Sequence, residues 1–266
     1  MAKIAHYIIT RFNLRSEASQ SQALDPRWLA HRFDLFEKFC LPTVKAQTLP
    51  DFSWLVLFDT DTPLSIRERL ARLAHWPTIR PIFFPPGTQH VGKRAVEAVM
   101  HETPDLLITT RLDNDDGIAC RYIEWVRKHC LVHEPTVLQF PSGYVWYDRK
   151  LYRDRQHHNP FQTLVEPMDS GRPDSFTTIY TGAHHDSHKL GRVVTASEEP
   201  GWLQVVHGGN LANRRRGIRV PASALQSRFG LDEGLLAIKE NRLEFLMDVA
   251  RSGLIEAARS LRQRIS

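Results

Sequence analysis

Three carboxylates, Asp113, Asp115 and Asp116, fall within four residues of the segment Thr109–Gly117, directly after the apolar run Leu106–Thr110. Left unneutralised they repel, and their pKa values rise. A divalent cation would remove that conflict. Carboxylate oxygens suit Mn²⁺ or Mg²⁺, ions that fill out their shells with water and substrate phosphates. A solvated acidic turn is the plain alternative. A calcium loop ending at Glu124 is a third, and it fails because Gly117 replaces the next oxygen ligand and Ile118 the required glycine. Position favours a ligand site, because ligands of open α/β sheets bind beyond the carboxyl ends of the strands.

Other polar clusters carry weaker signals. Lys93 and Arg94 follow Gly92 at an expected helix start, an arrangement that suits a diphosphate and an ordinary solvated turn equally. Arg214-Arg215-Arg216 would neutralise phosphates or face water. His184, His185 and His188 surround Asp186 in a stretch that reads as a metal site or as a loop.

These residues need a frame to position them. Ile4–Thr10 reads as a first strand, with Arg11-Phe12-Asn13 beyond its end. Asp25-Pro26 marks a helix start, and Pro42 is expected to break or kink the helical path before Val44. Trp54–Phe58 is a continuous apolar run ending at Asp59, the pattern of a strand buried on both faces. A helix is expected over Ser65–Ala74, capped by Ser65 and Glu68. A short strand at Ile82–Phe84, a helix at Val91–Glu102 and the strand Leu106–Thr110 come next. This alternation predicts an α/β domain with a largely parallel sheet. Thr136–Phe140 and Gly143–Tyr147 read as strands around a turn, residues 152–200 as a long polar loop, and Trp202–His207 as a strand. An amphipathic helical pattern runs over Asp232–Ile265, broken near Ser252-Gly253. The expected division is a catalytic unit over residues 1–230 and a helical appendage over 231–266.

The 266 residues are 42% hydrophobic, enough for a sizeable core, and carry a net charge of +5. The excess suits an anionic partner without requiring one. Cys40, Cys120 and Cys130 make no disulfide framework, as expected of a cytoplasmic chain. The start of the sequence lacks the apolar core of a secretory signal, and no apolar run approaches the ~18 residues of a membrane span. No helix-turn-helix, zinc-ligand spacing or RNA motif supports a nucleic-acid-binding protein. Without G-x-G-x-x-G after the first strand, a Rossmann dehydrogenase is disfavoured. A glycosidase would leave the tight acidic cluster unexplained. A metal-dependent phosphatase or nucleotidyltransferase would use that cluster equally well, but has no role for Gln47–Asp59.

The segments Leu41–Thr48 and Phe52–Asp59 resemble the opening of family-two glycosyltransferases. A closer resemblance, to the rhamnosyltransferase family, rests on His6-Tyr7, Thr10–Asn13, His31-Arg32-Phe33, Thr110–Asp116, Phe140–Tyr144, Leu164-Val165-Glu166 and Trp202–Asn210. It spans roughly residues 4 to 220. It implies the glycosyltransferase type A fold, a mostly parallel central sheet flanked by helices. It also implies sugar transfer, with rhamnose the expected sugar, from a nucleotide diphosphate donor to a glycan or lipid-linked acceptor. Thr10, Arg11, Asp59, Lys93, Arg94, Arg111 and Asp113 would bind the donor. Asp113, Asp115, Asp116 and His207 would hold the metal. An inverting reaction needs a base on the acceptor hydroxyl, and Glu166 and Asp186 are the candidates, Glu166 preferred for its apolar neighbours.

The C-terminal pattern combines Leu235, Leu236, Ile238, Leu243, Leu246 and Val249 with Arg242, Arg251, Arg259, Arg262 and Arg264. Its apolar face would pack on the catalytic unit or rest peripherally on an anionic membrane, at the inner face of which a lipid-linked acceptor would be presented.

Overall fold

Alternate residues of the first strands face opposite layers, and the sequence fills both. The computed structural model describes residues 2–15, 22–73, 75–157, 159–182, 184–208, 215–232, 234 and 241–265. Strands β1 (Ile4–Arg11), β2 (Ser53–Asp59), β3 (Ile79–Phe84) and β4 (Leu106–Arg111) pair in parallel in the order β3-β2-β1-β4. On β1 and β2, Ile8, Trp54, Val56 and Phe58 point into the main core, whereas Tyr7, Ile9, Leu55 and Leu57 point into a smaller one on the other face. This two-residue period on both faces is why the runs read as buried strands.

The main core is closed by helix α1 (Pro26–Leu35), a π-helical turn over Phe36–Cys40, α2 (Leu41–Lys45), α3 (Leu64–Ala71) and α5 (Tyr122–Lys128). The other face is covered by α4 (Val91–Glu97) and by Phe176. Asp25 caps α1 by accepting from the Trp28 amide at 2.7 Å. Pro42 does not break the helical path. The wider π turn precedes it and the path continues with proline near the start of α2, where its missing N–H costs least. α3 begins one residue earlier than expected, after Pro63, and carries no side-chain cap from Ser65. α4 stops at Glu97, short of the expected Glu102.

The second half contains the expected strand at Thr136 and further strands within the polar stretch expected to be a loop. β6 (Thr136–Gln139), β9 (Gln162–Pro167) and β10 (Arg192–Thr195) extend the first sheet, giving the order β10-β6-β9-β4-β1-β2-β3. β9 is antiparallel to both neighbours, so six of the seven strands run the same way. The expected α/β architecture, a mostly parallel central sheet with flanking helices, is thus present.

A second sheet, β12-β8-β7-β11-β5, completes the core. It comprises β5 (Gly117–Ile118), β7 (Ser142–Tyr147), β8 (Lys150–Arg155), β11 (Trp202–Val206) and β12 (Ile218–Val220). Gly143 on β7 lies against the Trp202 ring, where a Cβ would come within 2.0 Å, so that close pairing demands glycine. α6 (Ser223–Phe229) buries Leu225 and Phe229. α7 (Arg242–Ile265) lies against β12 and is not interrupted at Ser252-Gly253. Among the described residues no helix is long and apolar enough to cross a membrane.

Candidate active site

The chain passes from the first sheet to the second between β4 and β5, and the acidic cluster is that passage. Asp116 is buried and accepts the Val205 amide at 2.8 Å, which ties the end of β11 to the loop. Burial, with the charges of Asp115 and Asp113, pushes its carboxyl well up. This tie places His207, one residue past β11, beside the cluster. His207 Nε2 lies 3.0 Å from Asp115 Oδ2.

A cation already answers the charge on Asp115. Arg32, on α1, donates from Nη1 to Oδ2 at 2.6 Å and from Nη2 to Oδ1 at 3.0 Å, a two-pronged pair in a nearly buried setting. The same guanidinium donates to Asn114 Oδ1 and lies over the Trp28 ring. Burial alone would raise the Asp115 carboxyl. His207 and Arg32 outweigh it and hold the carboxyl below its ordinary value. The rise expected of an unneutralised cluster is therefore met at Asp116 and reversed at Asp115. His31, exposed on α1, sets its ring edge-on to His207 with centroids 5.2 Å apart.

A second group of polar residues occupies the carboxyl edge on the other face. Arg11 and Arg111, the last residues of the adjacent strands β1 and β4, both lie over the Tyr180 ring, at 4.9 and 5.1 Å. Tyr180 donates its hydroxyl to the Ile9 carbonyl at 3.2 Å. Asp113, partly exposed, lies 3.8 Å from Arg111 Nε. At the end of β2, Asp59 is buried beneath Arg15, which donates to its two oxygens at 2.8 and 2.9 Å. Burial would raise this carboxyl, but Arg15 and the Asp61 amide hold it low. Asn13 joins the ends of β1 and β2 through the Asp59 amide and Thr62.

Arg11, Asp59, Arg111, Asp113, Asp115, Asp116 and His207 therefore collect at one edge of the fold. Other expected site residues do not join them. Thr10 is fully buried beneath Trp54, whose Nε1 donates to it at 2.9 Å, so it stiffens β1 and faces no ligand. Lys93 is occupied by the Asp174 carbonyl at 2.6 Å and lies over Phe176, which fixes the segment covering the sheet. Arg94 is exposed on α4. Glu166 pairs with Leu107, near the start of β4, roughly 13 Å along the strand from Arg111. There Thr177 donates to it twice, at 2.9 Å, and burial raises its pKa.

Asp186 sits in a 3₁₀ turn, His184–Lys189, that enters β10 at the amino edge of the sheet, paired to Lys189 at 2.8 Å. Neither expected base reaches the acidic cluster, because antiparallel β9 and the path into β10 deliver both to the far edge. Residues 209–214, which include Gly209, Asn210 and Arg214, and the side chain of His184 lie outside the described residues.

Sequence reasoning gave no role to Arg32, His31, Asn114, Arg15 and Tyr180. His31-Arg32 was visible as part of a resembling motif, yet its partner Asp115 lies 83 residues away.

The donor set suits a divalent ion that accepts both oxygen and nitrogen, since a carboxylate and an imidazole converge at Asp115 and His207. Among the described residues, no three His, Cys, Asp or Glu side chains converge as a metal cage. An ion held here would take two protein ligands and leave the rest of its shell to phosphate oxygens and water.

No curated protein matches the chain. Among solved structures, the S. aureus TarS 1-349 structure in complex with UDP is similar at 10% identity, over 77% of this chain and 60% of that one, with a TM-score of 0.43. The mannosyltransferase PcManGT from Pyrobaculum calidifontis, in complex with GDP-Man and Mn²⁺, is similar at 12% identity, over 77% and 58%, with a TM-score of 0.45. The chain thus spans about three fifths of each of these structures. The family described as "Putative rhamnosyl transferase" matches residues 9–219, from the end of β1 into β12 and across every residue of the carboxyl-edge cluster. The chain belongs to that family.

Proposed function

We propose that this chain transfers a sugar, rhamnose in keeping with its family, from a nucleotide diphosphate donor to a hydroxyl of a glycan or lipid-linked acceptor. The observation that carries the reading is the meeting of Asp115, in the loop after β4, with His207, just past β11 of the second sheet, 3.0 Å apart at the edge where α/β folds bind ligands. Arg11 and Arg111, stacked on Tyr180 at that edge, would receive the donor's phosphates. Asp113, the partly exposed carboxylate of the cluster, would accept hydroxyls of the donor. The Asp59–Arg15 pair forms the rim where the nucleotide base would rest.

Asp115 and His207 would hold Mn²⁺ or Mg²⁺, which when bound supplies Lewis-acid neutralisation of the leaving diphosphate. Arg32 adds a fixed positive charge beside them. Glu166 and Asp186 lie too far along the sheet to deprotonate an acceptor here. That role falls to groups at this edge, where Asp113 is a partly exposed carboxylate and His31 an exposed imidazole.

The test is thermal unfolding with a panel of nucleotide diphosphates, with Mn²⁺ or with EDTA. Ligand at about 100 times its dissociation constant should add roughly 2.7 kcal/mol. Asp115→Asn should abolish the Mn²⁺-dependent part of that gain and the transfer activity. Full binding and transfer in EDTA would remove the ion from the proposal. No stabilisation by any nucleotide diphosphate would remove the donor.

A further inference from the structure

We infer that the outer face of α7 is a peripheral docking surface for an anionic lipid bilayer. The helix is amphipathic in the reverse of the usual sense, since its polar side meets the protein. Phe245, Asp248, Ser252 and Glu256 follow one another at helical spacing on the inner side. Lys150 donates to Asp248 at 2.6 Å and to Glu244 at 3.0 Å. Ser252 accepts the Arg219 amide at 3.0 Å, Glu256 accepts the Gly217 amide at 3.0 Å, and Phe245 receives the Arg219 guanidinium over its ring.

The opposite side carries Leu243, Leu246, Met247, Ala250, Leu254 and Ala257, again at helical spacing. Its large members are between 54% and 74% exposed. A face of this kind on an ordinary surface helix would be the buried one.

Charge decides which occupant fits. At 3.6 residues per turn, Arg242 lies about 100° to one side of Leu243 and Arg251 about 80° to the other. Both are exposed. The acids Asp248 and Glu256 are turned inward, and Glu244 is drawn to Lys150. What the helix presents outward is an apolar stripe between arginines, the arrangement that sinks into the acyl boundary while its flanks meet anionic headgroups. A second copy of the same face would bring those arginines against each other.

The inference is independent of the proposed transfer chemistry. Its test is co-sedimentation of the full chain with vesicles of phosphatidylcholine and phosphatidylglycerol in equal parts, against phosphatidylcholine alone. Binding should favour the anionic vesicles and weaken with salt. Leu254→Glu and Leu243→Glu, whose side chains touch solvent, should each lower partitioning at least about tenfold. Arg242→Gln and Arg251→Gln should each lower it about fivefold. Unchanged unfolding midpoints would show that these variants keep the fold.

Failure to bind anionic vesicles, equal binding to neutral ones, or binding untouched by Leu254→Glu would overturn the inference. So would sedimentation equilibrium showing a dimer that Leu254→Glu dissolves, because the face would then belong to a second copy.

Discussion

Arg32 holds the most consequential position among the single residues. Its guanidinium grips both oxygens of the buried Asp115 carboxylate, and it approaches His207 Nε2 at 3.2 Å. Removing one partner of such a pair costs about 3 kcal/mol or more. Arg32→Met should therefore lower metal-free stability by about that amount. A divalent ion and Arg32 would compete for Asp115, so Mn²⁺ should raise the midpoint of Arg32→Met further than that of the wild type. Calorimetric unfolding in EDTA and in Mn²⁺ measures both effects, and equal metal-induced shifts would show that Arg32 and the ion do not share Asp115. The acidic cluster was legible in the sequence because its charges are contiguous and conflict with one another. Of the partners that resolve the conflict, His207 was reached only through the family resemblance and Arg32 was given no role, because an arginine on a helix and a histidine after a late strand show no spacing relative to Asp115.

At the scale of elements, legibility followed the apolar period. β1, β2 and β4 are apolar on both faces and were readable as strands. β9 buries polar residues whose partners come from elsewhere in the fold, which hides the period. Thr163 meets Thr110 at 2.8 Å and Tyr122 at 3.3 Å, and Glu166 accepts at Oε1 from the amide and the hydroxyl of Thr177. Read as loop, that segment left Glu166 free to serve as a base. As a strand antiparallel to β4, it carries Glu166 away from the site. Glu166→Gln and Asp186→Asn should accordingly change turnover by less than the 10²-fold that marks loss of a general base. Steady-state kinetics checks this, and a loss of that size in either variant would return the base role to it.

The same buried polar layer contains a pH-sensitive element. His6 on β1 shares a hydrogen bond of 2.8 Å with Thr110, and burial, assisted by the charge of Arg127, pushes its pKa down to about 3. Above its ordinary value of 6.5 the ring is neutral both folded and unfolded, and stability is unaffected. Below that value the unfolded chain binds a proton that the folded chain refuses. Stability should therefore fall by ~1.4 kcal/mol per pH unit down toward pH 3 from this group alone. His6→Gln should flatten the acid limb of the stability profile by one proton's worth, as read from denaturant unfolding across that range. An unchanged slope would show that His6 is protonated in the folded protein.

For the whole molecule, one core joins both sheets. It runs from Ile8 on β1 to Leu231 beyond α6, and both sheets and the helices α1, α2, α3, α5 and α6 contribute members. Residues up to about 230 should therefore fold as a unit, with α7 added to the outside. Among the described residues, the contacts named for α7 are mostly polar. Lys150 with Glu244 and Asp248 is a surface pair worth about 0–1 kcal/mol. Arg219, buried against half-buried Phe245, adds about 1–2 kcal/mol, and the two backbone amides held by Ser252 and Glu256 add about 1 kcal/mol each. Arg219 keeps other partners without the helix, because its guanidinium also donates to the Leu151 carbonyl at 2.9 Å and lies over Tyr152. A chain ending at Asn241 should thus lose a few kcal/mol, less than the 5–15 kcal/mol typical of a folded domain. Denaturant unfolding of that truncated chain should show a single cooperative transition with a lowered midpoint and little change in slope. Nucleotide diphosphate binding should persist, because no residue of the carboxyl-edge site touches α7 among the contacts described. A truncated chain that fails to fold, or unfolds without cooperativity, would place α7 inside the catalytic unit and move the domain boundary to the end of the helix.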